Sequence, residues 1–394
     1  MRHLFEPSLV NGPEGDPALY IDLRGERRAL LLDLGDIAAL PPRKLLRLTH
    51  VFVSHAHMDH FAGFDTLLRV VLCRKDRLVL VGGPGFVDRV EHRLLAYTWN
   101  VVHRYAVPLQ LDVRAWAPDG NGRRASFSSR SGFVREGDAR WPVADGVLLD
   151  EPLLRVRAAC VDHETPCLAF LVEEKARARV AKDRLAALGL GTGPWLRALK
   201  QALLAGAPAH TPIHVCWRDR LGAHAQQRSV GELAAAVLDL GPGQRIGYAT
   251  DLRFTDANRQ ALAALLAGVD RLFIECPFLQ ADAAQAARKN HLTAQQAGCI
   301  AREVGARSVV PLHFSPRYAG RTAELAAEVR AAWGGGGAAD DASAARPAAD
   351  EHLPWTRALR GRARRLMQLP LEERRTAPEF IDPERHSCGV DSPP

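Results

Sequence analysis

The stretch LTHVFVSHAHMDH, residues 48–60, carries an apolar strand at Val51–Val53 straight into a loop holding His55, His57, Asp59 and His60. Three imidazoles and one carboxylate within six residues crowd four metal-type donors onto one loop. Neutral imidazole together with carboxylate suits zinc or another borderline divalent ion. Alternation puts His55 and His57 on one side of the loop, while Asp59 and His60 project from the turn beyond and can serve a second ion. A lone histidine would read as a surface turn, but this spacing directly after a buried strand reads as a metal loop. One loop cannot surround two ions, so more ligands must come from distant segments.

Working outward, ALYIDL and ALLLDLG within residues 18–35 read as two strands around the charged turn RGERR. FDTLLRVVLC has helical spacing, LVLVGGPG is a strand ending in a glycine turn, and FVDRVEHRLLAYTW reads as a helix. Residues 107–175 look mainly β, and 183–205 helical with a break at GLGTGP. IGYATD, RLFIECPF and SVVPLHF are strands that deliver Asp251, Glu275 and His313, with a helix over LTAQQAGCIAREVGA. Strands that present polar residues at their C-terminal ends, with helices between, describe a layered α/β domain. The expected organisation is one catalytic domain over 1–333, a flexible Gly/Ala linker at 334–350, and a basic, poorly ordered tail at 351–394 with Arg357, Arg360, Arg362, Arg364 and Arg365.

Composition excludes several classes. With 47% hydrophobic and 25% charged residues the chain is an ordinary globular one. The N-terminus shows no secretory signal, and no window approaches the roughly 18 apolar residues of a membrane span. The seven cysteines include no Cys-x-x-Cys pair, so neither a disulfide framework nor a thiolate knuckle is indicated. Free thiols fit a reducing compartment, and the expected location is the cytoplasm. A net charge of +7 and a pI near 9.2 favour an anionic partner.

His163, Asp251 and His313 each follow a strand and are candidates for the missing ligands. Taken singly, His163 or His313 reads equally well as a loop histidine, and Asp251 as the cap of a helix over LRFTDANRQALAALL.

The combined pattern resembles the metallo-β-lactamase superfamily, and more narrowly the ribonuclease Z (tRNA 3′-processing endonuclease) branch. Beside the metal loop, the resemblance is carried by LLDLGD at 31–36, DHETPCLAFLVEEK at 162–175, ALGLGTGPWLRALKQ at 187–201, and NHLTAQQAGCIAREVGA with VVPLHFSPRY over 290–318. It implies a four-layer αββα sandwich holding two zinc ions, with Mn2+ or Fe2+ as alternatives. His55, His57 and His163 would hold one ion and Asp59, His60 and His313 the other, with Asp251 bridging. It also implies a homodimer.

The chemistry then asks for an orienting group at Asp59 and for a proton donor off the metals to serve the leaving 3′-oxygen. His291 is the candidate donor, with Glu275 to fix its tautomer and raise its pKa. Arg317 reads as a phosphate clamp and Tyr318 as a base-stacking surface, or either equally as a local structural contact. The sequence departs from the family at Tyr-Ala-Thr-Asp251 and at Ile274, where the family has a histidine. It also shows no long Gly/Pro-rich arm of the kind the family uses to grip the tRNA elbow; VEEKARARVAKDRL at 172–185 reads as a solvated basic helix face or a reduced arm. The leading expectation is a zinc phosphodiesterase that removes the 3′ trailer of precursor tRNA. The alternative is a hydrolase of a small phosphodiester, lactone or other ester. A non-hydrolytic scaffold would have lost ligands, and all seven are present.

Overall fold

Strands Arg28–Leu32, Leu48–Phe52 and Arg77–Gly82 are apolar on both faces and buried along nearly their whole length. Such runs belong in the interior of a sheet covered on both sides. In the computed structural model, which describes residues 3–220 and 222–334, these three strands lie side by side and parallel, with Gln110–Ala115 next in line. Antiparallel strands Phe5–Leu9 and Leu19–Leu23 extend one edge of this sheet, and Arg123–Ser128 and Arg135–Arg140 the other, giving eight strands. A second sheet has six strands. Its parallel half is Arg245–Ala249, Arg271–Glu275 and Val309–Leu312, joined through the hairpin Leu154–Asp162/Pro166–Glu174 to Val147–Asp150.

Three apolar clusters fix the layering. Leu30, Leu32, Phe52 and Val81 of the first sheet meet Phe170, Tyr248 and Phe273 of the second in one core between the sheets. The opposite face of the first sheet packs on helices Phe64–Val71 and Phe86–Leu95 through residues such as Val51, Val53, Leu68 and Val90. The outer face of the second sheet packs on helices Asp256–Leu266, Ala294–Glu303 and Thr322–Trp333. Helix, sheet, sheet, helix is the αββα sandwich. Among the described residues no helix is long and apolar enough to cross a membrane, and all six described cysteines are free.

The described chain divides into two compact units, Met1–Arg177 with Leu240 onward, and Ala178–Asp239. Residues 178–239 therefore form a unit of their own inside the span read from sequence as a single domain over 1–333. That unit holds helices Lys182–Ala187, Trp195–Leu204 and Val230–Val237, and a hairpin of Pro212–Asp219 with Gly222–Ser229. Gly191 lies against the Trp217 ring, where a Cβ would approach ring carbon Cδ1 to 2.1 Å. Trp217 in turn stacks on His224 across the hairpin, with centroids 4.8 Å apart. The stretch 172–185 is not one helix face. It is the end of one strand, a short strand Arg177–Val180, and the start of a helix. The expected linker beyond Gly334 and the basic tail lie outside the described residues.

Candidate metal centre

Every candidate ligand sits just past the C-terminal end of a strand, on one rim of the sandwich. After Phe52 the chain turns through Ser54–His57 into a single helical turn, Met58–Phe61, capped by His57. Two glycines hold that turn in place. A Cβ on Gly63 would come within 2.1 Å of the Gly35 carbonyl oxygen, and one on Gly35 within 2.4 Å of the Asp59 carbonyl oxygen. No side chain fits between these backbones.

The structure brings all seven candidate ligands together. His55, His57, His163 and Asp251 offer donor atoms within 4.8 Å of one another, and so do Asp59, His60 and His313. Asp251 faces both groups. Its Oδ2 lies 3.6 Å from His55 Nε2 and 3.4 Å from His163 Nε2, while its Oδ1 lies 3.3 Å from His60 Nε2 and 3.0 Å from His313 Nδ1. Asp251 is not the cap of the following helix, because Thr255 takes that position and accepts from the Asn258 amide.

The remaining ring nitrogens show how the imidazoles are aimed. His163 Nδ1 donates to the Asn290 carbonyl oxygen at 2.8 Å, which leaves Nε2 as the lone-pair nitrogen. His60 Nδ1 donates to Asp33 Oδ2 at 2.8 Å, with the same consequence. Asp33 is a functional residue that the sequence reading passed over. It is fully buried and also accepts from the Ser54 amide at 2.6 Å, the Ser54 hydroxyl at 2.9 Å and the Tyr248 hydroxyl at 2.8 Å. Its position at the end of ALLLDLG was the only signal in the sequence.

Three buried nitrogens, His55 Nε2, His60 Nε2 and His313 Nδ1, make no well-directed hydrogen bond and face carboxylate oxygens, those of Asp251 among them. Orphaned buried polar atoms carry a cost unless something answers them. Lone pairs that converge from imidazoles around a shared carboxylate fit divalent cations in both groups. Electrostatics agree. Burial and the neighbouring histidines push His55 down to about 2, so it is neutral and ligand-ready. Burial opposes charge on His60 and His313, yet Asp251 outweighs it and holds both well above the usual histidine value. Asp251 thus favours positive charge at this point, which bound cations would supply in place of the ring protons. Asp33, Asp251 and His313 all adopt left-handed backbone, with φ of 60°, 36° and 60°. Non-glycine residues accept that conformation mainly where surrounding structure enforces it, and such residues cluster at functional sites.

Beside the second group, His291 Nδ1 meets Glu275 Oε2 at 2.7 Å. Glu275 is completely buried, and its Oε1 accepts from the Leu252 and Leu292 amides at 2.8 and 3.3 Å. Burial opposes charge on His291, but Glu275 holds its pKa above the ordinary value. The helix that follows starts at Thr293 with a capping box to Gln296, so His291 is not its cap.

Two expectations fare differently. Tyr318 is buried, its hydroxyl bonded to Asp282 and receiving the Leu279 amide, so its ring is not available to stack on a base. Arg317 is half exposed and paired with Asp282 Oδ1 at 3.0 Å, a carboxylate with which any phosphate would compete.

A sandwich of this kind with this ligand set defines the metallo-β-lactamase fold, and the model of the Beta-lactamase superfamily domain matches residues 209–314. The chain is 34% identical to Ribonuclease Z of Deinococcus radiodurans over 337 residues, covering 84% of this chain and 95% of that one. It is 30% identical to Ribonuclease Z of Nocardia farcinica over 276 residues, covering 69% and 71% of the two chains. The crystal structure of the short form of human tRNase Z aligns with 80% of this chain and 92% of its own, at 17% identity and a TM-score of 0.46. The chain belongs to the ribonuclease Z family and is a metal-dependent hydrolase.

Proposed function

We propose that this protein is a dinuclear zinc endoribonuclease that cuts the 3′ trailer from precursor tRNA in the cytoplasm. The observation that carries the dinuclear reading is the divided carboxylate of Asp251, one oxygen toward His55 and His163 and the other toward His60 and His313. His55, His57 and His163 would hold one ion, and Asp59, His60 and His313 the other. A pair of divalent ions, when bound, neutralises phosphate charge and lowers the pKa of water.

The chain's own residues supply the rest. Asp59, the most exposed of the ligands' carboxylates, orients the attacking water. His291 gives a proton to the departing 3′-oxygen from Nε2, because Glu275 holds the opposite nitrogen and favours the charged ring. The two backbone amides on Glu275 keep that carboxylate from turning away. In the unit 178–239, Arg179, Arg184, Arg197, Arg218, Arg220 and Arg228 with two lysines outnumber four acidic residues. We assign RNA contact outside the site to that unit.

The test is parallel incubation of zinc-loaded protein with a trailer-bearing precursor tRNA and with a chromogenic phosphodiester. Cleavage after the discriminator base, abolished by chelation, is the expected result. Turnover of the small ester alone would replace this reading with that of a small-ester hydrolase.

A further inference from the structure

Next to the metal loop lies a cavity of about 360 Å³ that none of the chemistry above uses. Its lining includes Pro84, Gly85, Ala117, Pro118, Cys160 and Pro166, together with Asp119, Asn121 and Arg123. We propose that it takes the base of a nucleotide flanking the scissile phosphate, an inference that rests on the endoribonuclease reading.

Position is the first argument. Strand Arg77–Gly82 is the immediate neighbour of Leu48–Phe52, with Val81 opposite Phe52, and Gln110–Ala115 lies beyond it with Ala115 opposite Gly82. Pro84 and Gly85 follow the first of these neighbours, and Ala117 and Pro118 follow the second. Strands are spaced by about 4.8 Å, so the cavity lies roughly one to two strand widths along the same rim from the metal loop. Its remaining wall belongs to the hairpin that carries His163, since Pro166 pairs with Asp162 across that turn. The hairpin is tied to the loop by the Leu168 amide, which donates to the Ser54 carbonyl at 2.9 Å. An RNA strand whose phosphate sits between His163 and His313 would place its next nucleotide here on the His163 side.

Chemistry is the second. Prolines, alanines and a glycine give most of the lining an apolar surface that suits the face of a planar ring, and its one cation, Arg123, is held by the Asp138 carboxylate. The volume is at the lower end of the roughly 300–1,000 Å³ typical of small-ligand sites, enough for one base and too little for a stacked helix. On the rim, Asn121 donates its backbone amide and Nδ2 to the Asp119 carboxylate at 3.0 and 2.9 Å. The pair forms a fixed edge of amide and carboxylate groups, the kind that reads the donors and acceptors of an unstacked base.

The test is a cycle of two changes in single-turnover cleavage by the zinc-loaded enzyme. One change is an abasic residue at either nucleotide flanking the scissile bond; the other is Ala117→Phe, which fills the cavity. We expect one abasic position to cost the wild type roughly tenfold, the scale of a single base contact. Ala117→Phe should lose a similar factor on the intact precursor and lose no more when that base is removed. Losses that multiply, or abasic positions that cost nothing, overturn the proposal. Cys160 offers a readout independent of how the variant folds. Its labelling by a maleimide, followed by peptide mass, should slow several-fold under a precursor with a methylphosphonate at the scissile linkage, and should not slow when the flanking base is missing. Equal labelling in both overturns the proposal. If the wild type turns over the chromogenic diester and cuts no RNA, the ribonuclease reading fails and takes this proposal with it. If RNA is cut equally well by Ala117→Phe, the cavity assignment alone fails.

Discussion

The metal centre is assembled from two kinds of segment. The loop at 54–60 brings four donors within six residues, and a single helical turn held by Gly35 and Gly63 sets their directions. His163, Asp251 and His313 arrive one at a time, each from the end of a different strand or hairpin of the second sheet, and two of them in left-handed backbone. The first group is a local product of sequence. The second exists only when the sheets have packed on each other. In the proposed assignment donors from both surround each ion, so metal binding would report on the assembly of the whole sandwich.

The sharpest way to break this contrast is Asp251→Ala. If the loop alone sufficed, the variant would keep a bound ion and measurable turnover. We expect kcat/KM to fall by at least roughly 10³-fold, about 4 kcal/mol, and zinc measured by elemental analysis to fall below two per chain. His291 packs its ring beside His163 and His313 but is not assigned as a ligand. The kcat of His291→Ala should drop by roughly 10²–10⁴ with zinc content unchanged, and a matching loss of zinc would instead make His291 a ligand. Asp33→Asn leaves every ligand in place but weakens the grip on the His60 ring. Zinc affinity by competition with a chelator should fall roughly 10- to 100-fold, and an unchanged affinity would remove Asp33 from the centre.

The smallest effect concerns the strand beneath the loop. His50 is buried between the sheets and stacked on Phe52, and burial pushes its pKa down to about 4. The unfolded chain takes up this proton near pH 6.5 and the folded one only near 4, so stability declines as pH falls through that window. From pH 7.5 to pH 5 the contribution is about 2 kcal/mol. In urea unfolding of the metal-free protein, His50→Phe should lose less stability over that range than the wild type by this amount. Parallel curves for the two proteins would rule the effect out.

What the sequence made legible follows the same division. The strands into Asp251 and His313 were readable because buried parallel strands are apolar throughout, and the loop because four donors share it. Asp33 was not readable as a supporting residue. Its partners Ser54, His60 and Tyr248 lie 21, 27 and 215 positions away, and no local pattern encodes such pairings. The hairpin at 212–229 left only a faint trace, buried Ile213 and Val215 alternating with exposed Pro212 and His214. Tyr318 reads in sequence either as a base-stacking surface or as a local structural contact, and only the fold, which ties its hydroxyl to Asp282 and the Leu279 amide, favours the second.

Tyr248 rises from the second sheet, crosses the interior and donates a hydrogen bond from its hydroxyl to the same Asp33 oxygen that steadies His60. The sandwich is therefore latched to its own cargo: any loosening of the interior slackens the histidine before the backbone has moved far. On warming, such a protein should shed its ions ahead of the main unfolding transition, making cation release the early alarm of a failing core.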